Sequence, residues 1–269
     1  MDNLHFTDEA IAGLIIQSIL MIIIPVILFI VWKIKTHEKV LPVIIGAVTW
    51  LLFAIILKLA PAYFLLQADN PIAKTISGNI WYTSILAGVL AGVFEETGRF
   101  AAFKTVLRKY EHSRSSISYG IGHGGFESIY VGVQMLSFPL MGILINNGMG
   151  DRITAGMDEA MKAAALSQLE GYASLTIPEC LLGAFERIPA ILFHISASVL
   201  VFKAAREKKY FYLYPLMILV HTLIDFSAVF GQNVMLPPWA IELIITVFAA
   251  ATAYFAWLLT ARQRKQLQS

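Results

Sequence analysis

Leu86-Ala87-Gly88-Val89-Leu90-Ala91-Gly92-Val93-Phe94-Glu95-Glu96-Thr97-Gly98-Arg99-Phe100 is an apolar run that abruptly takes on three charges. What surrounds it decides how it must be read. Of 269 residues, 58% are hydrophobic and only 14% charged, against about 25% charged in an ordinary soluble domain. That deficit is too large for a surface in water. Apolar runs near or above the ~18 to 20 residues that cross a bilayer recur along the whole chain. The expected fold is therefore all-α, a polytopic transmembrane helix bundle forming a single integral membrane domain over 1–269. Spans are expected near 10–32, 40–66, 80–104, 117–145, 175–203, 210–231 and 236–260. Pro25, Pro139, Pro189 and Pro215 fall inside them, which membrane helices tolerate better than soluble ones.

Lys and Arg orient these spans. Lys33, Lys35 and Lys39 follow the first; Arg108, Lys109 and Arg114 follow the third. Lys203, Arg206, Lys208 and Lys209 follow the fifth, and Arg262, Arg264 and Lys265 follow the seventh. The intervening connections hold only Lys74, Arg152 and Lys162, so thirteen basic residues alternate with three. This is the positive-inside pattern, with the N-terminus outside and the C-terminus cytoplasmic. Met1–Ala10 carries Asp2, Asp8 and Glu9, so no cleavable signal peptide is expected. The lone Cys180 excludes an internal disulfide and a metal–thiolate cluster, and is expected to pack. The longest polar segment, 146–172, places Ile153, Met157, Ala160, Met161, Ala164 and Leu169 at helical spacing. An amphipathic connector over about 151–171 is expected there, closed by Gly171 and lying on the outer face.

Once the spans are drawn, some residues stand in the wrong solvent. Glu95, Glu96 and Arg99 lie in the third, His123 and Glu127 in the fourth, Glu186, Arg187 and His194 in the fifth, and His221 and Asp225 in the sixth. A charge at a helix centre costs roughly 2.5 to 3.5 kcal/mol on insertion scales, so seven of them facing lipid would cost on the order of 20 kcal/mol. They must face inward, pair, or line a wet cavity. Glu95 and Glu96 stand four and three residues before Arg99, so both carboxylates can reach one guanidinium. His123 with Glu127 and His221 with Asp225 are i,i+4 pairs, and Arg187 and His194 are seven apart. Gly88 and Gly92, and Gly120, Gly122, Gly124 and Gly125, allow neighbouring helices to approach closely. At ~1.5 Å per residue, Glu95 falls roughly 14 Å from the cytoplasmic end of its span; His123, Glu127, His194 and His221 fall about 9 to 17 Å from theirs, and Asp225 about 22 Å. The first, second and seventh spans carry nothing comparable and read as scaffold.

Two chemistries can use such a set. A buried Glu can act with a His as general base toward water, with other His and Asp groups holding the oxyanion. Alternatively His123, Glu127, His194 and His221 can ligate zinc, whose bound water attacks.

Glu95-Glu96-Thr97-Gly98-Arg99, His123-Gly124-Gly125-Phe126-Glu127, Glu186-Arg187 leading to His194, and His221-Thr222-Leu223-Ile224-Asp225 together resemble the four motifs of the YhfC family. That family is similar to the PrsW-type proteases and the type II CAAX prenyl proteases of the CPBP or ABI superfamily. The resemblance covers about 81–226 and implies an intramembrane endopeptidase. It makes Glu95 the water-activating residue, gives Glu96 and Arg99 supporting positions, and makes His221 and Asp225 the oxyanion pair. The position of an assisting His in the CAAX branch is filled here by Glu127, as in the PrsW type, which leaves His123 or His194 to assist. Glu186 and Arg187 are supporting positions. The resemblance favours a glutamate mechanism without cofactor over a zinc enzyme.

Other intramembrane proteases leave different marks: there is no His-Glu-x-x-His, and no Gly-x-Ser-x-Gly-like serine within a span. Gly148-Met149-Gly150-Asp151 matches a presenilin-like Gly-x-Gly-Asp, but in a polar loop. A proton-coupled transporter would use the same buried groups, and a noncatalytic scaffold would need none of them. The expected partners are a membrane-anchored protein or peptide and the lipid bilayer, with no nucleic acid. The expected setting is the plasma membrane of a bacterium.

Overall fold

A computed structural model describes residues 4–266, and no strand occurs among them. Asp2 and the side chains of Ala160, Arg262, Arg264 and Lys265 lie outside what is described. The helices run α1 (Asp8–Thr36), α2 (Leu41–Trp50), a π-helical stretch (Leu51–Leu57), α3 (Lys58–Leu66), α4 (Pro71–Ser77), α5 (Ile80–Lys104), α6 (Ser113–Met135), α7 (Ser137–Asn146), α8 (Gly150–Ile153), α9 (Glu159–Ala173), α10 (Ile177–Phe185), α11 (Arg187–Arg206), α12 (Leu213–Asn233) and α13 (Pro238–Gln266). Among the described residues, six helical stretches are long and apolar enough to cross a membrane, and a seventh is if α4 and α5, bent by 104°, form one span. The protein is a multi-pass, all-helical membrane protein.

Prolines explain where the spans are interrupted. A proline offers no N–H to the carbonyl four residues upstream and crowds it. Pro139 thereby leaves Met135, where α6 gives way to α7, and Pro189 leaves Phe185, where α10 gives way to α11. Pro61 leaves Leu57, where the π-helical stretch ends. Pro25 alone sits in an unbroken helix, because the Met21 carbonyl it abandons accepts the Ser128 hydroxyl at 2.7 Å. Pro215 lies in the first turn of α12, where a missing N–H is harmless. The tolerance expected from sequence holds: Pro139 and Pro189 each interrupt a helix locally, yet Ser113–Asn146 and Ile177–Arg206 still run through as single candidate spans.

The chain divides into two compact units. One takes the N-terminal part through Ile24 together with Ser128–Arg187. Its core gathers Phe6, Leu14, Ile145, Leu169, Ala173 and Cys180. The Asn146 side chain bonds both the N–H and the carbonyl of Phe6, at 2.9 and 2.8 Å. Cys180 packs as expected, so close to Gly13 that a Cβ there would lie 2.8 Å from its sulfur. The amphipathic segment is helical as the short α8 and as α9, the latter capped by Asp158 through a 2.8 Å bond to the Met161 N–H. Gly171 does not close this helix, which runs on to Ala173; the glycine that stops the chain is Gly156, at φ +82° in the turn before α9.

The second unit holds Pro25–Glu127 and Ile188 onward, and its helices touch through glycines. A Cβ on Gly88 would lie 2.4 Å from the Thr222 carbonyl, and one on Gly92 2.5 Å from that of Ile218, so α5 and α12 run backbone against backbone. On α6, Gly120 faces Ile195 Cα of α11 and Gly122 faces the Val43 carbonyl of α2, at 2.5 and 1.9 Å by the same measure. Such contacts are what small residues in membrane helices make possible. Beside the crossings, Phe103, Leu107, Tyr119, Phe193, Leu200 and Met217 form an apolar core. Arg206 caps the exit of α5, donating to the carbonyls of Phe103, Leu107 and Tyr110 at 2.9, 2.7 and 2.9 Å. Trp32 donates its indole N–H to Ser118 at 2.9 Å.

Candidate active site

Glu95, Glu96 and Arg99 from α5, His123 and Glu127 from α6, His194 from α11, and His221 and Asp225 from α12 all belong to the second unit and converge there. The glycine crossings are the local cause. Gly92 of α5 sits one turn from Glu96 and seats that helix on α12 one turn from His221. Gly124 brings α6 onto the His194 side chain, where a Cβ would lie 3.0 Å from His194 Cβ.

The two adjacent glutamates take different partners. Both were expected to reach Arg99, yet the guanidinium pairs with Glu96 at 3.2 Å while Glu95 turns to His123, whose Nε2 lies 3.1 Å from its carboxylate. Consecutive positions on an α-helix point about 100° apart, so one arginine cannot engage both once α6 and α11 flank the helix. Arg99 is fully buried and its two Nη atoms are held by α11: Nη1 donates to the His194 carbonyl at 2.6 Å and to Ser198 Oγ at 2.8 Å, and Nη2 to His194 Nδ1 at 3.0 Å. Glu96, also fully buried, accepts from His221 Nδ1 at 2.8 Å.

The remaining contacts close the cluster. His194 Nε2 lies 2.8 Å from Glu127 Oε2. His221 Nε2 stands 3.9 Å from Glu95 and 3.7 Å from Asp225. The His194 ring lies between those of His123 and His221, at centroid distances of 4.7 and 5.3 Å. Exposure falls from mouth to floor. The Asp225 and Glu127 side chains are 35% and 21% accessible, Glu95 7%, and Glu96 and Arg99 none.

Glu95, His123, Glu127 and His194 each place one ligand atom within 4.8 Å of the others, a buried His/Glu group of the kind that could hold a metal ion. His221, which the sequence grouped with the possible ligands, is not of this quartet; its Nδ1 is turned to Glu96 and Glu95 stands in its place. Glu186 and Arg187 bond to each other at the α10–α11 break, in the first unit. Ser198 was passed over in the sequence, although its spacing four residues after His194 puts it on the same helical face. Glu242 was passed over too, and lies within the first two turns of α13.

A model of the YhfC intramembrane metalloprotease family matches residues 20–246. The chain belongs to that family. Every residue of the YhfC motifs quoted above falls inside the matched range. The uncharacterized membrane protein YhfC of Bacillus subtilis (strain 168) is 28% identical over 260 residues, which cover 96% of this chain and 98% of that protein. No solved structure matches the chain.

Proposed function

We propose that the cluster is the catalytic centre of an intramembrane endopeptidase in which Glu95 activates water. One observation carries this reading: Glu95, held at 3.1 Å by His123, has its ligand atom within 4.8 Å of those of Glu127 and His194. A water at ~2.8 Å from a carboxylate oxygen would be held by these groups together. Glu95 takes one proton of that water as its oxygen attacks the scissile carbonyl. The oxyanion forms toward His221 as an imidazolium, whose Nδ1–H is given to Glu96 and whose Nε2–H, beside Asp225, is the donor it meets. The proton held by Glu95 passes to the amide nitrogen, the C–N bond breaks, and the acid and amine leave.

The family's description implies a metal. Two imidazoles and two carboxylates suit zinc in type and number. The surroundings of the rings do not suit it. A metal-bound imidazole donates its other N–H to an acceptor. His123 Nδ1 is buried with no hydrogen-bond partner among the described residues, and His194 Nδ1 faces an arginine, which only donates. No step is therefore routed through a metal.

Superfamily kinship with the PrsW and CAAX proteases, a cytoplasmic-half location for the site and a bacterial plasma membrane setting belong to the same proposal. The substrate would be a membrane-anchored protein or peptide reaching the mouth marked by Glu127 and Asp225. The test is substrate trapping with Glu95→Gln in native membranes, followed by mass spectrometry. A membrane-anchored polypeptide enriched on the variant, and cut when the wild-type protein is supplied, is the expected result. Proton-coupled solute uptake without any cleaved polypeptide would overturn the reading in favour of a transporter.

A further inference from the structure

We propose that Arg99 is a positioning residue that locks His194 in its Nε2–H tautomer, directing that proton to Glu127 and withholding the ring from metal. Which atoms can donate decides the tautomer. A guanidinium carries five N–H donors and no acceptor. Arg99 Nη2 lies 3.0 Å from His194 Nδ1, so Nδ1 accepts with its lone pair and a neutral ring carries its hydrogen on Nε2. The atom opposite Nε2, at 2.8 Å, is a carboxylate oxygen of Glu127, an acceptor. Both ends of the ring thus require the same tautomer.

The lock is held from three sides. Nη1 is fixed by the His194 carbonyl and by Ser198 Oγ, and Ser198 in turn donates to that same carbonyl at 2.6 Å. Nε stands 3.2 Å from Glu96 Oε2 as an ion pair, without a hydrogen bond. Arg99 is fully buried, so turning it away would strand a charge out of water. Zinc at Nε2 would need that nitrogen's lone pair. The hydrogen would then move to Nδ1, where an N–H would point at the N–H of Arg99. The quartet's four ligand atoms lie within 4.8 Å of one another, yet His194 Nε2 is already committed as a donor.

This inference builds on the peptidase reading for its kinetic consequence only, because the tautomer is measured without any substrate. The experiment is long-range proton–nitrogen NMR on wild-type protein labelled with ¹⁵N-histidine, the His194 signal assigned by its loss in His194→Gln, and repeated with one equivalent of zinc. An Nε2–H signal that zinc leaves in place supports the lock. An Nδ1–H ring, or a His194 signal shifted stoichiometrically by zinc, overturns it. Arg99→Lys is the second arm: it keeps the charge beside Glu96 but loses the fork. It should mix the two tautomers and lower kcat on the order of 10²-fold with KM within about threefold; a His194 signal unchanged in this variant also overturns the lock. The two proposals fail separately: a locked His194 in a protein whose Glu95→Gln variant still cuts removes Glu95, not Arg99. A zinc-binding His194 in a working peptidase removes the lock alone.

Discussion

Glu95 and Glu96 are neighbours of one type on one helix, and they belong to two different regions of the site. On the Glu96 side, the carboxylate meets Arg99 and His221 Nδ1, Arg99 is held in turn by Ser198 and the His194 carbonyl, and Glu96 and Arg99 have no exposure. On the Glu95 side, the ligand atoms of Glu95, His123, Glu127 and His194 face one another across a gap, and exposure rises to 21% at Glu127 and 35% at Asp225. The comparison teaches that burial alone does not mark a reactive group. A buried carboxylate matched by fixed donors is structural, whereas one grouped with other ligand atoms on the more accessible side is placed to react.

Substitutions can break this contrast, and the largest effect is expected on the open side. Glu95→Gln should lower peptide cleavage by on the order of 10³-fold, about 4 kcal/mol of barrier. Its melting temperature in detergent should stay within a few degrees of wild type, because the amide keeps the shape of the carboxylate. Arg99→Met strikes the closed side. It leaves Glu96 buried beside a single partner and should destabilise the fold by about 3 to 5 kcal/mol, read by thermal unfolding. If Arg99→Met melted like wild type while Glu95→Gln lost its fold, the assignment of the two sides would be reversed.

Intermediate effects sharpen the picture. Asp225→Asn should reduce kcat by about 10- to 100-fold, since Asp225 faces His221 Nε2 at 3.7 Å and acts through it. The smallest effect is expected for Ser198→Ala, which removes one acceptor of Arg99 and should cost about 1 kcal/mol of stability, by the same thermal measurement.

Much of this was legible in the sequence because a membrane leaves charged residues few places to go. The spacing of Glu95 and Arg99, His123 and Glu127, and His221 and Asp225 put polar groups on single helical stripes, and the glycines at 88, 92, 120, 122 and 124 announced close crossings. Partner choice was not legible. Whether Arg99 takes Glu95 or Glu96 depends on which way α5 is rotated against α6 and α11, and that is set by contacts such as Gly124 on His194. The breaks at Met135 and Phe185 could have been read from Pro139 and Pro189, four residues downstream in each case. That Pro25 makes no break could not, since its relief comes from Ser128 on another helix.

The most direct test of Glu95 as the reactive group is the cleavage rate of a trapped substrate in chelator-treated liposomes, wild type beside Glu95→Gln. The account predicts an undiminished wild-type rate and a Glu95→Gln rate lower on the order of 10³-fold. Cleavage by Glu95→Gln at the wild-type rate would contradict it.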